Sequence, residues 1–266
     1  MTPTLAEVFA RVHAEKRSAL IGYLPAGFPS AAAGIELINA MVSAGVDIVE
    51  VGLPYSDPLM DGPDIQSAVE QALLAGATPD VVLDTVEQIT AAGATCVVMS
   101  YWNPIERYGV EAFSTRLAQA GGHGVITPDL TPEEAGPWIA AAAAHGIDRV
   151  FLVAPSSTDE RIATVAAVTS GFVYAASTMG VTGARTQVSS AAPELVRRTR
   201  ALTDLPIAVG LGVSTGAQAR EVAEYADGVI VGSAFVRRIL QAPDQSAAVA
   251  AVAELARELA AGVRGN

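Results

Sequence analysis

Residues 206–234 read PIAVGLGVSTGAQAREVAEYADGVIVGSA. Pro206–Gly210 is a short apolar run, Thr215–Tyr225 has helical period, and Gly228–Val231 is a second apolar run with a helix directly behind it. Uninterrupted apolar strands suit a sheet covered on both faces, which is how parallel sheets are buried. The same alternation extends toward the N-terminus. Further strand-like runs fall at Ser18–Leu24, Asp47–Leu53, Thr95–Ser100, Gly124–Pro128, Arg149–Ala154 and Phe172–Ala176. Between the runs lie helical stretches at Ala31–Ala44, Pro63–Leu74, Pro79–Ala92, Val110–Ala120, Pro132–Ala144 and Ser189–Thr203. Prolines at 63, 79 and 132 sit where a first helical turn tolerates a missing N–H, and Gly45, Gly76, Gly93, Gly121 and Gly146 follow helices as C-caps do.

Such repeats fit a closed barrel or a doubly wound open sheet. Eight units in roughly 250 residues favour a (β/α)8 TIM barrel, read here as one domain over residues 1–266. Leu5–Glu15 is an extra N-terminal helix placed to plug the barrel bottom, and Gln245–Val263 is a final helix.

The chain has 266 residues, 51 % hydrophobic and 17 % charged, with a formal net charge of −12. That composition supports a large core. The acidic balance argues against a nucleic-acid surface, which needs a basic face, but leaves room for a small anion held by backbone amides. The one cysteine, Cys96, lies in an apolar run and reads as an inert buried thiol. No export signal and no run long enough to span a membrane is visible, so a cytoplasmic location is expected. His13, His123 and His145 have no metal-ligand spacing, and no metal is expected.

In a barrel the chemistry sits where strands end. Glu50 interrupts the second strand and shares a face with Ile48 and Gly52. A carboxylate there suits a general acid–base with a raised pKa, or else a structural glutamate bonded to a buried arginine or to backbone. Asp57 and Asp61 follow in the loop; by itself Asp61 reads best as a cap on the next helix, and Asp57 as a turn residue. Tyr174 lies near the mouth on the sixth strand, and by itself an ordinary core tyrosine is the commoner reading. Gly180–Ala184 has the composition of a lid or anion loop, and the glycine-rich ends of strands seven and eight suit a phosphate cradle.

Six stretches, in order, resemble the tryptophan synthase α subunit family: EVGLPYSDPLMDGPDIQ from Glu50, MSYWNPIERYG from Met99, TPDL from Thr127, GVTGARTQVS from Gly180, GLGVS from Gly210 and ADGVIVGSA from Ala226. The likeness runs from about Ala19 to Leu240, and its first and fourth stretches are the most specific. It implies a lyase that cleaves indole-3-glycerol phosphate to indole and glyceraldehyde 3-phosphate. Glu50 matches the family's acid–base glutamate and Asp61 the aspartate that stabilises the indole N–H. Tyr174 matches a tyrosine close to the site, and Thr182 the lid threonine that bonds the loop aspartate. Gly183, Gly212, Gly232 and Ser233 match phosphate contacts, and Tyr23 stands where many relatives carry phenylalanine against the indole ring. The resemblance further implies an α2β2 complex. Pyridoxal phosphate then belongs to the β partner alone, the α chain needs no cofactor, and Asp57, Pro58 and Asn103 lie on the β-contacting surface. Two other readings stand beside it: a different phosphate-binding barrel enzyme, and an allosteric subunit with little chemistry of its own.

Overall fold

The computed structural model describes residues 2–176, 191–210 and 212–265. Its strands are β1 (Ala19–Pro25), β2 (Ile48–Gly52), β3 (Cys96–Met99), β4 (Gly124–Ile126), β5 (Asp148–Val150), β6 (Leu152–Val153), β7 (Val173–Ala176), β8 (Ile207–Gly210) and β9 (Gly228–Val231). All pairings are parallel, in the order β5-β4-β3-β2-β1-β9-β8-β7-β6. The two ends of that order are consecutive in sequence. β5 pairs with β4, β6 pairs with β7, and only Phe151 separates them. One strand, broken at a buried phenylalanine, therefore closes the cylinder. The fold is the expected TIM barrel, with the expected fifth run, Arg149–Ala154, in two pieces.

Side-chain alternation sorts the core into two parts. Residues on one face of each strand, among them Ile21, Ile48, Val97, Ile126, Val150, Phe172, Ala208 and Ile230, fill the interior. The opposite face packs under the surrounding helices. The helix Leu5–Ala14 joins the interior cluster through Leu5, Val8, Phe9 and Val12, spaced to form one stripe. Phe9 lies 5.7 Å from Phe172, the residue before β7, so this helix closes the bottom of the barrel as expected. A capping box fixes its start: Thr4 Oγ1 accepts from the Glu7 N–H (3.2 Å), and the Glu7 carboxylate accepts from the Thr4 N–H (2.8 Å).

One expected helix is shifted. The stretch expected from Pro132 becomes helical only over Gly136–His145. Residues 132–134 instead close a turn of their own, in which the Glu134 N–H donates to the Thr131 carbonyl (3.1 Å). The proline in the first helical turn is Pro137. Gly45, Gly76, Gly93, Gly121 and Gly146 all take positive φ, the left-handed conformation that ends helices. Among the described residues, no helix is long and apolar enough to cross a membrane.

Candidate active site

Glu50 is the middle residue of β2, aligned with Tyr23 of β1 and Val97 of β3. It points inward with Ile48 and is buried near the upper, C-terminal end of the barrel. Among the described residues no arginine or lysine pairs with it, and its Oε2 has no hydrogen-bond partner. Among the described residues the structural-glutamate reading therefore finds neither an arginine nor a backbone partner at that oxygen. Burial, and then the charge of Asp61, push the Glu50 carboxyl up to about 8. At neutral pH it holds its proton yet can release it, as a general acid–base must.

Asp61 lies in the loop between β2 and the helix Pro63–Leu74. It does not cap that helix: the N-cap is Gly62, and no side chain caps there. Its carboxylate turns into the protein instead and is buried. Tyr101, the second residue after β3, donates its hydroxyl to Asp61 Oδ1 (2.9 Å), while Gln66 Nε2 donates to the Asp61 carbonyl (2.7 Å). Burial raises the Asp61 carboxyl and the tyrosine bond opposes that rise. Tyr101 is the member of the site that sequence reading does not single out. Its only signal is its position just beyond a strand end, inside the stretch from Met99.

Two tyrosines complete the inner wall. Tyr23 belongs to β1 and Tyr174 to β7. Burial pushes both hydroxyls up, reinforced by Glu50 and, for Tyr23, first by Asp61. Tyr23 and Tyr174 thus both lie close to Glu50, and Tyr23 lies close to Asp61 as well. Glycines make room for the rings. A Cβ on Gly52 would collide with the Tyr23 ring, one on Gly232 would come within 3.1 Å of it, and one on Gly210 would collide with Tyr174. Gly210→Ala is therefore expected to lower stability by about 1–3 kcal/mol through overpacking, with displacement of the tyrosine. Urea unfolding measures the loss, and a parent-like midpoint would show that the ring relaxes freely.

The strand-end loops are partly described. Gly212 has φ of 70°, a conformation that favours glycine, and Gly232 is the N-cap of the helix Ser233–Gln241. No side chain caps that helix, and Ser233, its first residue, is buried. By contrast Thr215 and Asp244 cap the helices that follow them. Amides left uncapped at the start of a helix favour an anion. Thr182 and Gly183 lie outside the described residues.

Asp57 and Asn103 are exposed and Pro58 is half-buried, all on loops at the same end of the barrel. Asn103 Nδ2 donates to the Tyr55 hydroxyl (3.1 Å), and the Tyr55 ring lies 5.5 Å from that of Tyr101. The histidines are elsewhere. His13 is on the N-terminal helix, His123 contacts Thr2 and the Cys96 backbone before β4, and His145 pairs with Glu111.

A family model described as tryptophan synthase alpha chain matches residues 9–264. The tryptophan synthase alpha chain of Thermobifida fusca is 61 % identical over 263 residues, covering 98 % of this chain and 97 % of that one. The alpha chain of Nocardia farcinica is 60 % identical over 260 residues, covering 98 % and 96 %. Among solved structures, a chain of Mycobacterium tuberculosis tryptophan synthase superposes with a TM-score of 0.93 at 54 % identity, covering 99 % of each chain. The tryptophan synthase subunit alpha of Legionella pneumophila still superposes at 0.89 with 30 % identity, covering 98 % of each. With likeness in sequence and in fold running nearly end to end, the chain belongs to the tryptophan synthase alpha chain family.

Proposed function

We propose that Glu50 and Asp61 carry out the reaction of this family, cleavage of indole-3-glycerol phosphate to indole and glyceraldehyde 3-phosphate in tryptophan biosynthesis. The observation that carries the assignment is the convergence of two buried carboxylates, only one of which has a hydrogen-bond donor among the described residues. Glu50 is raised by burial and by its neighbour, and Asp61 is held by a hydroxyl donor. Such a pair divides acid–base work from electrostatic work.

Glu50, protonated, gives its proton to indole C3. The ring nitrogen then carries positive character, and the Asp61 carboxylate accepts a hydrogen bond from its N–H, favouring the charge as it develops. Ionised Glu50 next takes the proton of the glycerol hydroxyl. The C–C bond breaks, the hydroxyl carbon becomes the aldehyde of glyceraldehyde 3-phosphate, and the bonding electrons restore the indole ring. The proton returned to Glu50 balances the one it gave.

Tyr23 and Tyr174 flank the ring, and Gly212, Gly232 and Ser233, with Thr182 and Gly183, serve the phosphate and the lid. The α chain needs no cofactor for these steps. It works in an α2β2 complex whose β subunit carries pyridoxal phosphate, with Asp57, Pro58 and Asn103 facing that partner. The whole chain acts as one barrel domain, in the cytoplasm.

Indole release from indole-3-glycerol phosphate, followed against pH, tests the reading. Because the first step needs protonated Glu50, kcat/KM is expected to fall as pH rises through about 8, the value to which burial and Asp61 push that carboxyl. A rate that climbs through the same range would reverse the assigned role, and no indole release at any pH would refute the assignment.

A further inference from the structure

Two neighbouring acids of similar ordinary strength must behave differently for this site to work. Something in the fold has to break their symmetry. Glu50 Oε2 has no hydrogen-bond partner among the described residues, so nothing there favours its charged form. Asp61 has a donor, and the donor's direction is set by its own surroundings. The Tyr101 hydroxyl accepts the N–H of Met60 (3.0 Å), which leaves the phenolic proton to go to Asp61 Oδ1 (2.9 Å). A donor aimed at a carboxylate favours the anion, and such charge-assisted bonds are about twice as strong as neutral ones.

The tyrosine is itself fixed. Ser100 N–H donates to the Ile126 carbonyl, Ser100 Oγ to the Tyr101 carbonyl (2.7 Å), and the next amide, Trp102 N–H, to the Asp129 carboxylate (2.9 Å). Tyr101 is fully inside the protein, against the Tyr55 ring. One buried phenol thus holds the loop backbone at Met60 and the side chain one residue later.

We infer that Tyr101 is a positioning residue: its hydroxyl, held by the loop it anchors, aims the Asp61 carboxylate and favours its charged form, leaving Glu50 as the protonated member of the pair. This rests on the reading of Glu50 and Asp61 given above and deepens it. Among the described residues, the titratable groups facing the pair are Tyr23 from β1, Tyr174 from β7 and Tyr101 after β3. The first two are phenols raised by burial and do not ionise in the range where the carboxylates titrate. Among the described residues, loss of the Tyr101 hydroxyl therefore acts on the Asp61–Glu50 pair with no third group titrating beside it.

The test is Tyr101→Phe in the full chain assembled with its β partner, with kcat/KM for indole release measured from pH 5 to 9. The acid limb, where Asp61 gains a proton, is expected to move up by about one to two pH units, the worth of one hydrogen bond to a charged group. Above that limb the activity is expected to recover to within a few-fold of the parent. Adding Asp61→Asn should remove the effect of the Tyr101 hydroxyl on the acid limb. A drop of equal size at every pH, or a profile identical to the parent's while Asp61→Asn is inactive, overturns the role of Tyr101 alone. Parent-like turnover of Asp61→Asn overturns this role and the reading of Asp61 together. Should the Phe variant fail to fold, carboxyl-carbon NMR of the unmutated chain decides. Asp61 is expected to titrate below Glu50, and the reverse order overturns the inference.

Discussion

Glu50→Gln is expected to abolish indole release while leaving the barrel intact. The amide has nearly the shape of the acid, so Tyr23, Tyr174 and the interior layer below keep their packing. It can neither give a proton to C3 nor take one from the hydroxyl. Proton transfer by a positioned group is worth about 10²–10⁴-fold, and this one residue serves in both directions, so the loss should reach the upper end of that range. Steady-state indole release with a thermal melt alongside checks it; turnover within tenfold of the parent would remove Glu50 from its role. The same variant has a stability signature. The parent's carboxyl is raised from 4.5 to about 8 on folding. Between those values the folded chain holds a proton that the unfolded chain has lost, so stability falls as pH rises through the window and is lowest above about 8. The variant has no such proton, and its stability between pH 5 and pH 9 should change less, by an amount on the order of 4 kcal/mol. Urea unfolding of both proteins at the two pH values measures the difference.

Asp61→Asn is expected to lower kcat by about 10²–10³-fold with a small change in KM, the usual consequence of removing one group that stabilises transition-state charge. The charge at the ring nitrogen develops only after C3 is protonated, so the substrate gains little from Asp61 before that step. The asparagine still fits beside Tyr101, whose hydroxyl can donate to the amide oxygen in place of Asp61 Oδ1. Asp61→Asn also removes the anion that helps raise Glu50, so the basic limb of the residual activity should move to lower pH. Single-turnover measurements separate the chemical step from release. A rise in KM with kcat unchanged would make Asp61 a binding group instead.

Several parts of this molecule are readable along the chain because their physics is local. Apolar runs and helical periods place each strand within a residue or two, and the last helix, Gln245–Val263, appears with its expected bounds. The break at Phe151 is not readable. Arg149–Ala154 is one apolar run, and which half pairs with which neighbour depends on closing the cylinder. The early start given to the helix near Pro132 fails for a related reason. Proline fits a first helical turn and equally a tight turn, and the Thr131–Glu134 bond selects the turn. Glu50 stands out as a charge in an apolar strand. Asp61 does not, because an aspartate before Gly-Pro ordinarily caps a helix, and only the course of the loop shows its carboxylate turned inward.

The order of residues by itself determined an eight-unit barrel, the helix that plugs it, and the acid on the second strand, since hydrophobic period and side-chain alternation act between near neighbours. Only the tertiary structure decided that Asp61 faces Glu50, that Tyr101 holds it there, and that Gly52, Gly210 and Gly232 leave space for two tyrosine rings. Those relations join strands far apart in sequence, and the desolvation that makes one carboxyl keep its proton exists only once the barrel has closed around it.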